Sequence, residues 1–213
     1  MKRTATIVAV VLAIALGGFS FDVTRPTSVV AKASMPDPGL TGAPGGSGTC
    51  FTCHTGGLND LSGGIQVFNI PAFYIPGQDY YLVATVVGLS GSRWGFELTS
   101  LTSGNVMAGS LSDSSNAVGE QTSLGITYVS QTTNEGFDGT YADSTGGAAW
   151  VFKWTAPPAG AGPVTFYGAG VACDNDNAAN IGDITYTTQV ISAETTTTDV
   201  KGTTWGKIKT IYR

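Results

Sequence analysis

The chain has 213 residues, 30 of them glycine, with abundant Thr and Ser and only 12% charged residues. That composition excludes a protein built of long helices, which need Ala, Leu, Glu, Lys and Arg in bulk, and leaves room for one domain of ordinary size behind a leader. The formal net charge of −5 excludes nucleic acid as a partner, because such binding rests on cationic contacts with phosphate.

In chain order, residues 1–33 are predicted to be an export signal. Lys2 and Arg3 precede the uninterrupted apolar run "ATIVAVVLAIAL", residues 5–16. The run is shorter than the about 20 residues a bilayer span needs. Extended through Phe21 it becomes an uncleaved anchor, which is the alternative to cleavage after Ala31-Lys32-Ala33. Either route places the domain outside the cytoplasm, secreted, in the periplasm or at the cell surface. Without residues 1–33 the chain keeps 6 basic and 14 acidic residues, as suits a soluble extracellular protein or one steered to a cationic partner.

Residues 34–64 form a second unit. "SMPDPGLTGAPGGSGT" (34–49) is Pro/Gly-rich and expected to be extended, ordered only where it docks. It leads into Cys50-Phe51-Thr52-Cys53-His54, which holds two of the three cysteines and the single histidine.

Residues 65–195 read as an all-β domain. Residues 80–88, 94–102, 123–130, 148–156, 162–172 and 185–192 are the clearest strands, punctuated by turns and without βαβ crossovers. They predict an immunoglobulin-like antiparallel sandwich of seven or eight strands, with Trp154, Phe166 and Val83 buried. The strand at 80–88 is apolar or β-favouring at every position, so it is expected to be covered on both faces. Trp150 and Trp154, four apart, share one face of their strand. Residues 196–213 form a linker and a basic tail with Trp205, Ile208, Ile211 and Tyr212 at near-helical spacing, either a short docking helix or a sorting tail.

C-x-x-C-H is the attachment signature of a c-type haem. Two thiols three residues apart can form thioethers with the two vinyl groups of one porphyrin, and the adjacent imidazole of His54 becomes the proximal iron ligand. Two rivals exist. Zinc could use Cys50, Cys53, His54 and Cys173, but neighbouring Cys53 and His54 converge poorly on one tetrahedral ion. A thioredoxin-like pair would need a βαβ context that this pattern lacks.

The segments "GAPG…CFTCH", "YIPGQDYYLVATVVG", "RWGFELTS", "AAWVFKWTAP" and "GPVTFYGAGVA…GD…TYTT" together resemble the reeler-like bacterial surface domains called choice-of-anchor V, over residues 41–192. The resemblance implies a sandwich related to the reeler domain of animal extracellular proteins, an N-terminal C-x-x-C-H segment, and variable C-terminal anchoring signals. In similar sequences a His able to act as distal ligand follows the Tyr-Val pair, whereas here Gln131 stands in that place. With His54 the single histidine, bis-histidine ligation within one chain is excluded. The sixth iron position is then open, or filled by Gln131, Met107 or Met35.

"CDNDNAANIGD" (173–183) gathers Asp174, Asp176 and Asp183, either a calcium site of oxygen ligands or a set of turns. Cys173 is the odd cysteine, either a buried thiol or half of an intermolecular disulfide. No nucleophile–base–acid set is visible, so no enzymatic activity is expected. The sequence thus predicts an exported monohaem c-type cytochrome-like protein that passes electrons to a redox partner or cell-surface component. The alternative is a reeler-type adhesion module without a redox role. Self-association is a further expectation.

Overall fold

The computed structural model describes residues 32–134 and 136–195. The expected export signal, apart from its last two residues, and the basic tail lie outside the described residues. Among the described residues, eleven strands follow a short 3₁₀ turn: β1 (Gly57–Leu58), β2 (Gly63–Phe68), β3 (Phe73–Tyr74), β4 (Asp79–Gly88), β5 (Arg93–Thr102), β6 (Ser110–Asp113), β7 (Val118–Ser123), β8 (Ile126–Gln131), β9 (Gly147–Thr155), β10 (Val164–Cys173) and β11 (Ile184–Glu194). They form a seven-stranded sheet, ordered β1-β11-β10-β5-β8-β7 with β3 also on β11, packed on a four-stranded sheet ordered β2-β4-β9-β6. The fold is an all-β sandwich.

Alternation along each strand builds the core. Trp94, Phe96 and Leu98 of β5 meet Leu82, Ala84 and Val86 of β4 and Trp150, Phe152 and Trp154 of β9, all nearly inaccessible. Phe96 stacks on Trp150 at 4.7 Å, and Trp154 meets Phe166 edge-on at 4.8 Å. The indole N–H groups of Trp150 and Trp154 donate to the carbonyls of Gly139 and Ala108, so neither polar handle is orphaned. Gly170 faces inward on β10, where an added Cβ would lie 2.4 Å from Val86 Cγ2, so the two sheets close there because this side chain is missing.

Three expectations are corrected. Val83 is only half-buried, because β4 belongs to a sheet with one solvent-facing side. Its inward set is Leu82, Ala84 and Val86, and its β-branched outer residues fit the pleat without being covered. The stretch at 123–130 is a hairpin instead of one strand. Leu124 (φ +51°) and Gly125 (φ +80°) form its two-residue loop, and leucine in a left-handed conformation gave no turn signal. Ten strands, β2–β11, stand where seven or eight were expected, because β3 and β6 are too short to show a pattern; the pairing is antiparallel as expected, with only β1 and β3 joining β11 in parallel.

This parallel pairing matters for the site. The outward face of the large sheet carries Arg93, Gly95 and Glu97 on β5 opposite Cys173, Val171 and Ala169 on β10. The segment before β1 folds over that face.

Candidate functional site

The N-terminal segment docks through a buried acid. Glu97 is 1% exposed and accepts hydrogen bonds from the Leu40 N–H at 2.5 Å and the Gly39 N–H at 3.2 Å. Burial pushes its carboxyl up to about 7 against the pull of these two donors. Met35 N–H adds a bond to the Gln131 carbonyl at 3.0 Å. The Pro/Gly-rich stretch is therefore held, as an extended segment that finds a docking surface should be.

The motif itself forms a 3₁₀ turn over Cys50–Thr52. Thr49 caps it by accepting the Phe51 N–H, and the Cys53 N–H closes it on the Cys50 carbonyl. In such a turn side chains three apart eclipse, which brings Cys50 and Cys53 to one side. Cys50 packs against Ala169, Val171 and Cys173. Gly56 then lets the chain run against the 181–183 backbone, because a Cβ there would lie 2.2 Å from the Ile181 carbonyl oxygen.

His54 is the centre of the arrangement. Its Nδ1 lies 2.6 Å from Asp183 Oδ2, and the Asp183 side chain is fully buried. Asp183 also accepts the backbone N–H groups of Asp174 and Asn180, both at 3.3 Å. Burial by itself would raise the Asp183 carboxyl. The bond and charge of His54 and these two N–H donors outweigh it and hold the carboxyl below its ordinary range. Cys173 Sγ lies 3.8 Å from the same Nδ1. Since Cys173 and Asp183 address one nitrogen, they do not build a nucleophile–base–acid relay, which needs both sides of the imidazole.

A cleft of about 220 Å³, open on one side to solvent, lies in front of these groups. Cys50, Cys53, His54 and Cys173 line it together with Leu40, Phe96, Val171 and Gln131. Lys32 and Arg93 are its cations. Lys32 pairs with Asp37, while Arg93 Nη2 is 3.7 Å from Asp138 Oδ2 and Arg93 Nε is buried without a hydrogen-bond partner. An unpartnered buried donor costs about 1–3 kcal/mol, so it marks a place where an acceptor is missing.

The thiols are not poised for exchange. Burial pushes Cys50 up to about 12, and burial together with the Asp37 charge raises Cys53. Burial and Asp183 also raise Cys173. A disulfide-exchange centre needs the opposite, a stabilised thiolate.

Gln131 of the sequence reading lines the cleft that also holds Cys50, Cys53 and His54. Its Oε1 accepts the Phe96 N–H at 2.8 Å, leaving its amide NH₂ as the free function. Met35 lies against Gly119 and Met107 sits among core residues within reach of the Thr99 hydroxyl, and neither lines the cleft. The Asp174 and Asp176 carboxylates cap turns, accepting the Asp176 and Ala178 N–H groups, and Asp183 turns to His54. Among the described residues the groups that converge as metal donors are His54, Cys173 and Asp183, all within 4.8 Å of one another. The zinc set with Cys50 and Cys53 is not gathered. Sequence reasoning missed the partnership of Asp183 with His54 and the roles of Glu97 and Arg93. The signal for these two was their alternation with inward Trp94 and Phe96, which turns both to the outer face.

No protein-family model and no curated protein matches the chain. Among solved structures it is similar to the Reelin-N domain of F-spondin, at 21% identity and a TM-score of 0.47, over 68% of this chain and 97% of that one. It is also similar to the human F-spondin reeler domain, at 20% identity and a TM-score of 0.41, over 62% of this chain and 89% of that one. A third likeness is AvmM, which catalyses macrocyclization in alchivemycin A biosynthesis, at 12% identity and a TM-score of 0.40, over 65% of this chain and 91% of that one.

Proposed function

We propose that this is an exported β-sandwich protein of the choice-of-anchor V, reeler-like kind that carries one covalent c-type haem and transfers electrons outside the cytoplasm. Cys50 and Cys53 hold the group as thioethers and His54 is its proximal ligand. When bound, the haem supplies one-electron chemistry between ferric and ferrous iron.

The observation that carries the reading is the state of His54. Its Nδ1 is engaged by Asp183, so Nε2 is the nitrogen left for a metal, in a cleft shared with both thiols. A buried carboxylate on the far nitrogen is the usual support of a metal-bound imidazole, fixing its tautomer and raising its basicity. The residues also fit the group in other respects: apolar walls from Leu40 and Val171, and the unpartnered Arg93 Nε. Gln131, with its carbonyl oxygen engaged, serves as a hydrogen-bond donor towards the cleft instead of a ligand.

An ion bound directly by His54, Cys173 and Asp183 would compete for the same imidazole. It would have to displace the 2.6 Å bond between His54 and Asp183, whereas a ligand at Nε2 leaves that bond intact. The reading is tested by the visible absorption of the full chain expressed with working cytochrome c maturation. A c-type pyridine-haemochrome spectrum is expected, and colourless protein sinks it.

A second reading, a reeler-type extracellular binding module, is favoured by the outer face of the four-stranded sheet. There Phe68, Val83 and Val151 stand in one cross-strand row, with Phe68 and Val151 exposed beside Tyr81. Contiguous exposed apolar residues on a sheet mark interaction surfaces. Colourless protein that still binds a surface component would support this second reading.

A further inference from the structure

Arg93 opens β5 and is the register partner of Cys173, on the face that floors the cleft. Among the described residues, its Nε is the buried side-chain polar atom that lacks a hydrogen-bond partner. The other charged groups lining the cleft are engaged. Lys32 pairs with Asp37, and Asp176 accepts the Ala178 N–H and the Asn180 side-chain amide. His54 meets Asp183 just behind the wall. Only one nitrogen of Arg93, Nη2, reaches an acid, Asp138, and at 3.7 Å that contact is an ion pair without hydrogen-bond geometry. The cleft therefore presents a guanidinium with unused donors beside apolar walls.

A guanidinium offers its N–H groups in a planar fork that matches the two oxygens of a carboxylate. We propose that Arg93 is the carboxylate-binding residue of the cleft, and that the acid it takes is a propionate of the haem, an assignment that rests on the haem reading above. The fork holds that propionate ionised and adds a positive charge close to the iron. The positive charge favours the ferrous state, and a propionate held ionised contributes no titration of its own to the potential.

The test compares the full chain with Arg93→Gln, Arg93→Lys and Asp138→Asn variants, all expressed with cytochrome c maturation. Haem per chain and midpoint potential from pH 5 to 8 are measured. His54, Asp37, Asp176 and Lys32 line the cleft, with Asp183 behind its wall and Glu97 on the same face of β5; all are common to every protein, so differences between profiles isolate the substituted group. All four should carry one haem per chain, because the thioethers do not involve Arg93. The unsubstituted protein should show no segment from the propionate, any slope from Glu97 being common to all four proteins. Arg93→Gln should have a lower potential and a new pH-dependent segment where the propionate titrates. Arg93→Lys, which keeps the charge but not the fork, should lie between, and it decides the matter where the Gln variant fails to fold. Asp138→Asn should keep the unsubstituted profile. An Arg93 variant with full haem and the unsubstituted profile overturns the proposal and leaves the haem reading standing. Asp138→Asn reproducing the Arg93→Gln profile assigns the effect to the ion pair and also overturns it. Colourless unsubstituted protein overturns both readings.

Discussion

The bond between His54 and Asp183 is the contact on which the proposed haem chemistry turns. On that proposal, Asp183→Asn keeps the shape and removes the charge, so the imidazole would lose basicity and the ferric state its stabilisation. The midpoint potential should rise by roughly 60 mV, a tenfold change in a one-electron equilibrium, measured by redox titration. An unchanged potential would mean that Asp183 does not act through the proximal ligand. Glu97 sets a different pH dependence. Its carboxyl is raised from 4.5 to about 7, so the folded state holds the proton more tightly than the unfolded chain does. The associated stability is fully present below about pH 4.5 and lost as pH rises through 7, by on the order of 3 kcal/mol. Asp138 runs the opposite way. Burial opposes its ionisation, but Thr140 and Arg93 hold its carboxyl low, so its contribution is present above about pH 4 and lost as the solution is acidified. Urea denaturation across pH should therefore show stability falling from about pH 5 to 8, and Glu97→Gln should flatten that fall. The thiols and imidazole were legible in the sequence because C-x-x-C-H is local. Their support was not, since Asp183 is 129 positions from His54 and reads by itself as one more turn aspartate.

At the scale of elements, the strands with strong period-two alternation were readable, and β4, β5, β9, β10 and β11 lie within a few residues of where the pattern put them. β7 was hidden because its residues, "VGEQTS", are mostly polar, and β6 because it is only four residues long. The position of Val83 shows why an all-apolar strand is ambiguous: β-propensity fills an exposed face with the same residue types that burial does. The closeness of the two sheets at Gly170 gives a clean test. Gly170→Ala places a methyl against Val86 and Ile65, and overpacking of this kind costs about 1–3 kcal/mol. Thermal unfolding should shift down accordingly. A variant as stable as the parent would mean that the sheets separate there without strain.

For the whole molecule, one face of the large sheet carries the cleft and the opposite sheet carries the exposed apolar row, with the aromatic core between them. The docked segment with its 3₁₀ turn, β5 and the 174–183 loop converge on the cleft from three parts of the chain, which is why composition and pattern could indicate the sandwich but not the walls of the site. The account as a whole stands on covalent attachment of a haem at Cys50 and Cys53. The most direct measurement is tandem mass spectrometry of the proteolytic peptide that contains residues 50–54, from protein matured with its export signal intact. The account predicts that this peptide carries one haem through two thioether bonds, and that Cys50→Ala with Cys53→Ala removes it. An unmodified peptide from the same protein, with both thiols free to alkylate, would contradict it.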